Sequence, residues 1–195
     1  MADPHRIGPA AARIGGQRPG LRSFHVWGGA AAIVIAAVGA SLISRPHPLL
    51  LWNASASSPV GLYAVISPAA PRAGDMAVAW PPSSARRLAA VRHYVPFRVP
   101  LVKPVAGVAG DRVCAKGDRI FINGRQIARR RKIDPAGRPM PVWSGCARLR
   151  HGELFLLSNA GPLAFDGRYF GITRASDVVG KARLLWAKPT KALNG

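Results

Sequence analysis

Acidic side chains are scarce in this chain of 195 residues: 8 Asp and Glu stand against 28 Lys and Arg, a net charge of +20. That imbalance points to an anionic partner, whether nucleic acid, an acidic protein or an anionic membrane surface. Aromatic residues are also few, at 7%, and none interleaves the one dense basic run, Arg129-Arg130-Arg131-Lys132. A single-strand nucleic-acid platform needs stacking rings among its cations, so direct nucleic-acid contact is not expected and the membrane surface is the favoured reading. The five histidines (His5, His25, His47, His93, His151) form no HExxH pair, and no GxSxG elbow is present. Only two cysteines occur, Cys114 and Cys146, with no His/Cys cluster at zinc spacing beside them. No metal or cofactor is expected. A serine hydrolase on this chain must work without histidine.

Charge of either sign is missing from Val26 to Ser44, a run rich in Ala, Val, Ile and Gly. As a helix it is just long enough to cross a hydrocarbon core of about 30 Å. Arg6, Arg13, Arg18 and Arg22 precede it against Asp3 alone, and only Arg45 follows closely. Positive flanks stay in the cytoplasm, which places the remainder of the chain outside. A cleaved signal peptide follows the same charge logic, with Ala37-Val38-Gly39 or Gly39-Ala40-Ser41 as small-residue cleavage sites; the length of the run favours a retained anchor. The expected organisation is a basic cytoplasmic tail (1–23), a transmembrane anchor (24–44), an extracytoplasmic β-rich domain (45–188) and a frayed tail (189–195). In an oxidising compartment, two isolated cysteines are expected to pair.

Beyond the anchor the patterns are short strands and turns, with no internal repeat or long linker. Arg72-Ala73-Gly74-Asp75 turns into Met76–Trp80, and Ala109-Gly110-Asp111 turns into Arg112–Cys114. Lys116-Gly117-Asp118 leads into Arg119–Ile122, which reverses at Asn123-Gly124, a strong hairpin signal. Glu153–Ser158 and Val178–Trp186 read as late strands, and Pro135, Gly137, Pro139 and Pro141 mark an irregular excursion that carries Cys146. Only Ser83–Arg92 reads as a helix, capped by Ser83 or Ser84. The fold class is mainly β: one antiparallel domain with one short helix, preceded by one N-terminal transmembrane helix.

Lys103 is the only ionisable residue in the apolar run Val99–Val108. In an extended chain it shares a face with Val99, Leu101 and Val105. Poor solvation disfavours its ammonium form, and a lysine so perturbed serves as a general base at ordinary pH. Alternatively, Lys103 lies on an edge strand, with its stem on apolar surface and its ammonium in water. Asn53-Ala54-Ser55-Ala56-Ser57-Ser58-Pro59-Val60-Gly61-Leu62-Tyr63 offers small hydroxyl residues on a turn-forming loop: a nucleophile for that base, a polar linker, or a formal glycosylation sequon at Asn53. Pro59 pushes Ser58 toward extended geometry, and Gly61 lets the loop turn.

Four pieces fall in a recognisable order: Ser55-Ala-Ser57-Ser-Pro59-Val-Gly-Leu-Tyr63, Arg72-Ala-Gly-Asp75, Pro100-Leu-Val-Lys103-Pro-Val-Ala-Gly-Val-Ala-Gly-Asp111, and Phe165-Asp166-Gly-Arg168-Tyr-Phe-Gly171. From Asn53 to Gly171 the chain resembles the signal peptidase I superfamily, most closely the TraF-type conjugative transfer peptidases, which have the same preceding anchor. The resemblance implies that Ser57 is the nucleophile and Lys103 the general base, a Ser-Lys pair in place of a triad. It implies an oxyanion hole from the Ser57 backbone N–H and the Ser55 hydroxyl. Asp166 and Arg168 fall where the superfamily has a pair supporting the lysine region, although Asp166-Gly167 alone reads equally as a hairpin turn. One position departs from the pattern: signal peptidases commonly have a lysine-bonding serine two residues before this aspartate, and Ala164 stands there.

What the resemblance implies overall is a membrane-bound serine endopeptidase processing a secreted or membrane-inserted precursor, such as a pilin subunit, next to small residues. An extended substrate would add as a strand beside the Lys103 segment. The acyl-enzyme then resolves by water or, in a cyclisation, by the substrate's own amine. A housekeeping signal peptidase is the alternative, followed by a non-catalytic anchored component of a transfer apparatus or a DNA-contacting protein.

Overall fold

A computed structural model of the chain describes residues 21–43, 50–67 and 70–189; the expected basic tail up to residue 20 and the last residues of the frayed tail lie outside them. The chain divides into two compact units, Met1–Pro46 and His47–Gly195.

In the first unit, helix α1 runs from Leu21 to Ile43 over 23 residues, about 35 Å at 1.5 Å per residue. Trp27, Ile33, Val34, Ile35 and Val38 are exposed on it. The side chains of 21–26 and 41–43 lie outside those described, and among the described residues no helix is long and apolar enough to cross a membrane.

The second unit is built from two antiparallel sheets. Strands β1 (Leu50–Asn53), β2 (Gly61–Ile66), β3 (Met76–Ala79), β4 (Leu101–Gly107), β9 (Phe155–Leu156) and β10 (Val178–Ala187) form a six-stranded sheet in the order β1-β2-β10-β3-β4-β9. Strands β5 (Arg112–Lys116), β6 (Arg119–Ile122), β7 (Arg125–Arg129) and β8 (Gly145–Arg148) form the other, in the order β7-β6-β5-β8. The mainly β reading therefore holds. The Asn123-Gly124 hairpin joins β6 to β7, with φ of 49° and 84°, the left-handed pair that a two-residue hairpin needs.

Both faces of the large sheet are covered where β3 and β4 run side by side. Val78 and Val102 pack with Tyr63, Val65 and Val179 on one face; Ala77, Ala79 and Val105 pack with Leu154 and Leu156 on the other. Lys103 pairs in register with Ala77, so the methyl of a fully buried alanine lies beside its stem. Lys103 is thus on an interior strand, between β3 and β9, and the edge-strand reading fails.

Several local expectations need correction. Helix α2 covers Ser83–Val91, but its N-cap is Pro82 with no side-chain cap bond, and both serines lie inside the first turn. It is not the sole helix of this unit: Gly167–Phe170 forms the short α3, and Ala175–Asp177 a 3-10 turn. Asp166-Gly167 is therefore a helix start rather than a hairpin turn, because the Asp166 carboxylate accepts the Arg168 N–H. The strand expected over Glu153–Ser158 shortens to β9, and the excursion carries Cys146 on a regular strand, β8.

Candidate active site

The serine loop joins β1 to β2, and its shape is set by one buried amide. Asn53 is 8% exposed; its Nδ2 donates to the carbonyls of Ser55, Ser58 and Pro59 at 2.9, 3.2 and 3.0 Å, and its Oδ1 accepts the Ser55 N–H at 3.2 Å. With that amide fully engaged, the formal sequon is not a glycan site. Tyr63 adds a further tie, donating from its hydroxyl to the Pro59 carbonyl at 2.8 Å. Gly61 does not turn the loop. It lies in β2, where a Cβ would stand 2.0 Å from the Trp186 carbonyl oxygen, so glycine is required by the close approach of β10.

Ser57 projects from this loop to Lys103, whose Nζ donates to Ser57 Oγ. Lys103 is 3% exposed, and burial pulls its pKa down from 10.5 to about 8; Asp166 pushes the value up and Arg168 pushes it down. An amine in that range is available in its neutral form at mildly alkaline pH. Ser55 Oγ lies 2.8 Å from Ser57 Oγ and 3.4 Å from the Ser57 N. The Ser57 N–H thus donates to the Ser55 hydroxyl, and both groups lie beside Ser57 Oγ.

Asp166 and Arg168 form an ion pair at 2.8 Å with side chains 0% and 3% exposed. Their remaining bonds run to one short stretch. Asp166 accepts the Ser158 N–H at 2.8 Å; Arg168 donates to the carbonyls of Ser158 at 2.6 Å and Gly161 at 2.7 Å. The Ser158 hydroxyl in turn donates to the Ser57 carbonyl. The pair thus reaches Ser57 through hydrogen bonds, while it reaches Lys103 through its electrostatic field. Ala164 is buried nearby and offers the lysine no hydroxyl.

Beside the serine and lysine opens a cleft of about 730 Å³, whose wall includes Leu51, Asn53, Val99, Leu101, Ile133 and Ala164. Apolar walls with a few polar groups at one end suit an extended peptide. The excursion of residues 130–144 closes one side. Asp134 accepts from the Tyr94 hydroxyl at 2.5 Å and from Arg138 Nε at 2.7 Å, which fastens it to the segment after α2. These bonds hold the Asp134 carboxyl well below the usual carboxylate range, against the upward push of its burial.

Cys114 and Cys146 are disulfide-bonded and face each other across β5 and β8, on the smaller sheet and outside the cleft wall. Asn53, Ser58 and Ser158 were not legible as site residues. Asn53 and Ser58 flank the matched serines without a distinguishing spacing, and Ser158 lies in no motif.

A serine hydroxyl against a buried lysine, at the foot of an apolar cleft, is the arrangement of a serine peptidase that works without histidine. The family model "Signal peptidase, peptidase S26" matches residues 24–187, and the chain belongs to that family. Two Escherichia coli proteins described as plasmid transfer protein TraF are similar to it: one is 33% identical over 40% of this chain and 46% of its own length, the other 29% over 77% and 86%. Signal peptidase I V of Bacillus subtilis is 28% identical over 41% of this chain and 54% of its own. The chain thus spans about half the length of two of these relatives and most of the third.

Proposed function

We propose that this chain is a membrane-anchored serine endopeptidase that cleaves a secreted or membrane-inserted protein precursor, a conjugative pilin subunit in particular, by acyl-enzyme chemistry. The single observation that carries the reading is the hydrogen bond between Lys103 Nζ and Ser57 Oγ inside a buried wall. Neutral Lys103 takes the Ser57 proton as Oγ attacks the scissile carbonyl carbon. The oxyanion forms against the Ser57 N–H and the Ser55 hydroxyl. Lys103 then returns the proton to the leaving amine as the C–N bond breaks, leaving an ester on Ser57 that water, or an amine of the substrate, resolves. The substrate lies extended between the outer edge of β1 and the Pro100–Val102 stretch, both of which line the cleft.

Membrane anchoring, with the peptidase unit on the periplasmic face of a bacterial inner membrane, is supported by the uncharged run within α1 and the arginines before it. The peptidase unit also exposes Leu50, Trp52, Leu184 and Trp186, residues suited to an interfacial setting. The pilin reading is supported by the matches to plasmid transfer proteins. Removal of leader peptides is the second reading, favoured by the match to a signal peptidase I.

Co-expression of the full chain with pilin precursors and, separately, with leader-bearing exported proteins, followed by intact-mass analysis, tests both. Cleavage of the pilin that disappears in Ser57→Ala and in Lys103→Ala is expected. Cleavage restricted to leader peptides would transfer the conclusion to the second reading, and cleavage that survives both substitutions would refute the dyad.

A further inference from the structure

Ser158 is 3% exposed and has every polar atom engaged. Its N–H goes to Asp166 and its carbonyl to Arg168. Its Oγ accepts the Ala160 N–H at 3.0 Å, which leaves the hydroxyl proton for one acceptor, the Ser57 carbonyl. Ser158 and Ser57 are 101 residues apart in the chain, so the bond joins two loops that no ladder pairs.

We propose that Ser158 is a positioning residue for the nucleophile: it hands the rigidity of the buried Asp166–Arg168 pair to the Ser57 peptide, and through that peptide sets where Ser57 Oγ meets Lys103. Asn53 and Ser55 hold the loop on the N-terminal side of Ser57. A bond to the Ser57 carbonyl fixes the C-terminal side, so the direction of the Cα–Cβ bond is set from both ends. The same bond keeps that carbonyl dipole from swinging toward the place where the oxyanion develops, where it would repel the charge. This inference rests on the Ser57/Lys103 reading of the site and assigns the Asp166–Arg168 pair its path to the chemistry.

The test compares full-length wild type, Ser158→Ala and Ser158→Thr with Ser57→Ala as control, using an extended peptide bearing alanine next to the scissile bond. For Ser158→Ala, kcat is expected to fall about 10- to 100-fold, as a displacement near 1 Å does, with KM within about twofold, since the cleft wall is untouched. The pH midpoint of kcat should stay in place, because the hydroxyl bonds Ser57 and not the amine. Ser158→Thr, which keeps the hydroxyl, should restore most of the rate. Amide exchange should quicken in a peptide covering residues 53–60 and not in one covering β4. A Ser158→Ala enzyme with wild-type kcat and unchanged loop exchange would overturn the proposal, as would a loss that Thr does not rescue and that spreads to β4 exchange. Equal cleavage by wild type and Ser57→Ala would instead remove the dyad, and the loop exchange would still decide whether Ser158 holds the segment.

Discussion

Ser58 Oγ donates to the Val102 carbonyl at 2.8 Å, which ties the residue after Ser57 to the residue before Lys103. Both are buried, and the bond spans 44 residues of sequence. The separation of Ser57 and Lys103 is therefore constrained by a bond between their neighbours as well as by their own contact.

Ser58→Ala leaves the Val102 carbonyl without its partner inside the protein. The expected cost is about 1–3 kcal/mol in unfolding free energy, measured by urea titration, together with a lower kcat. A variant as stable and active as wild type would show that the tie is dispensable.

With Lys103 as the proposed base, active only when neutral, kcat/KM should rise about tenfold per pH unit below about 8 and level off above it. Lys103→Arg should be inactive across the range, since guanidinium stays protonated. The sign for stability follows from the same lowered value. Below about pH 8 the folded chain must accommodate a buried charge that the unfolded chain holds in water; this penalty shrinks between 8 and 10.5 and is gone above. Lys103→Met should therefore be more stable than wild type at pH 6, by at most about 3 kcal/mol, with the advantage fading toward pH 10.5. A flat pH–rate profile or a gain that grows with pH would contradict this assignment.

Removing one member of the Asp166–Arg168 pair strands the other in the interior. Asp166→Ala should cost about 3–5 kcal/mol and should release Ser158, so thermal stability and activity fall together. Calorimetry showing a change below 1 kcal/mol would mean that the pair is not the brace its burial indicates.

Reduction of Cys114–Cys146, or Cys146→Ser with Cys114→Ser, opens a link between residues 32 apart in sequence. The entropic model gives a loss of about 3–4 kcal/mol. Turnover of the protein that remains folded should be unchanged, because the bond lies on the smaller sheet and away from the cleft wall.

The sequence was most legible where local chemistry is strong. Asn123-Gly124 defines its hairpin through backbone conformation alone, and Lys103 stands out because one ammonium in an apolar strand has few explanations. β1 and β2 were not legible: Leu50–Asn53 is only four residues long and pairs with β2 alone, and the other side of β2 is filled by β10, which arrives more than a hundred residues later. The serine caps expected on α2 lost to Pro82, which starts the helix without a side-chain bond. Ser58 and Ser158 act through partners 44 and 101 residues away, whereas the partners of Asn53 lie within six residues, and its buried amide reads the same as a loop asparagine until those three carbonyls are in place.

The stacked indoles of Trp52 and Trp186, with centroids 5.7 Å apart and planes inclined at 24°, sit at the two ends of the serine loop. Trp52 precedes Asn53, and the Trp186 carbonyl faces Gly61. Two indoles at that separation couple their transitions, so the loop has a built-in optical reporter. The coupled circular-dichroism band should vanish in Trp186→Phe and should fade when the base of the loop loosens, which makes the order of the nucleophile segment observable in protein that has no substrate bound.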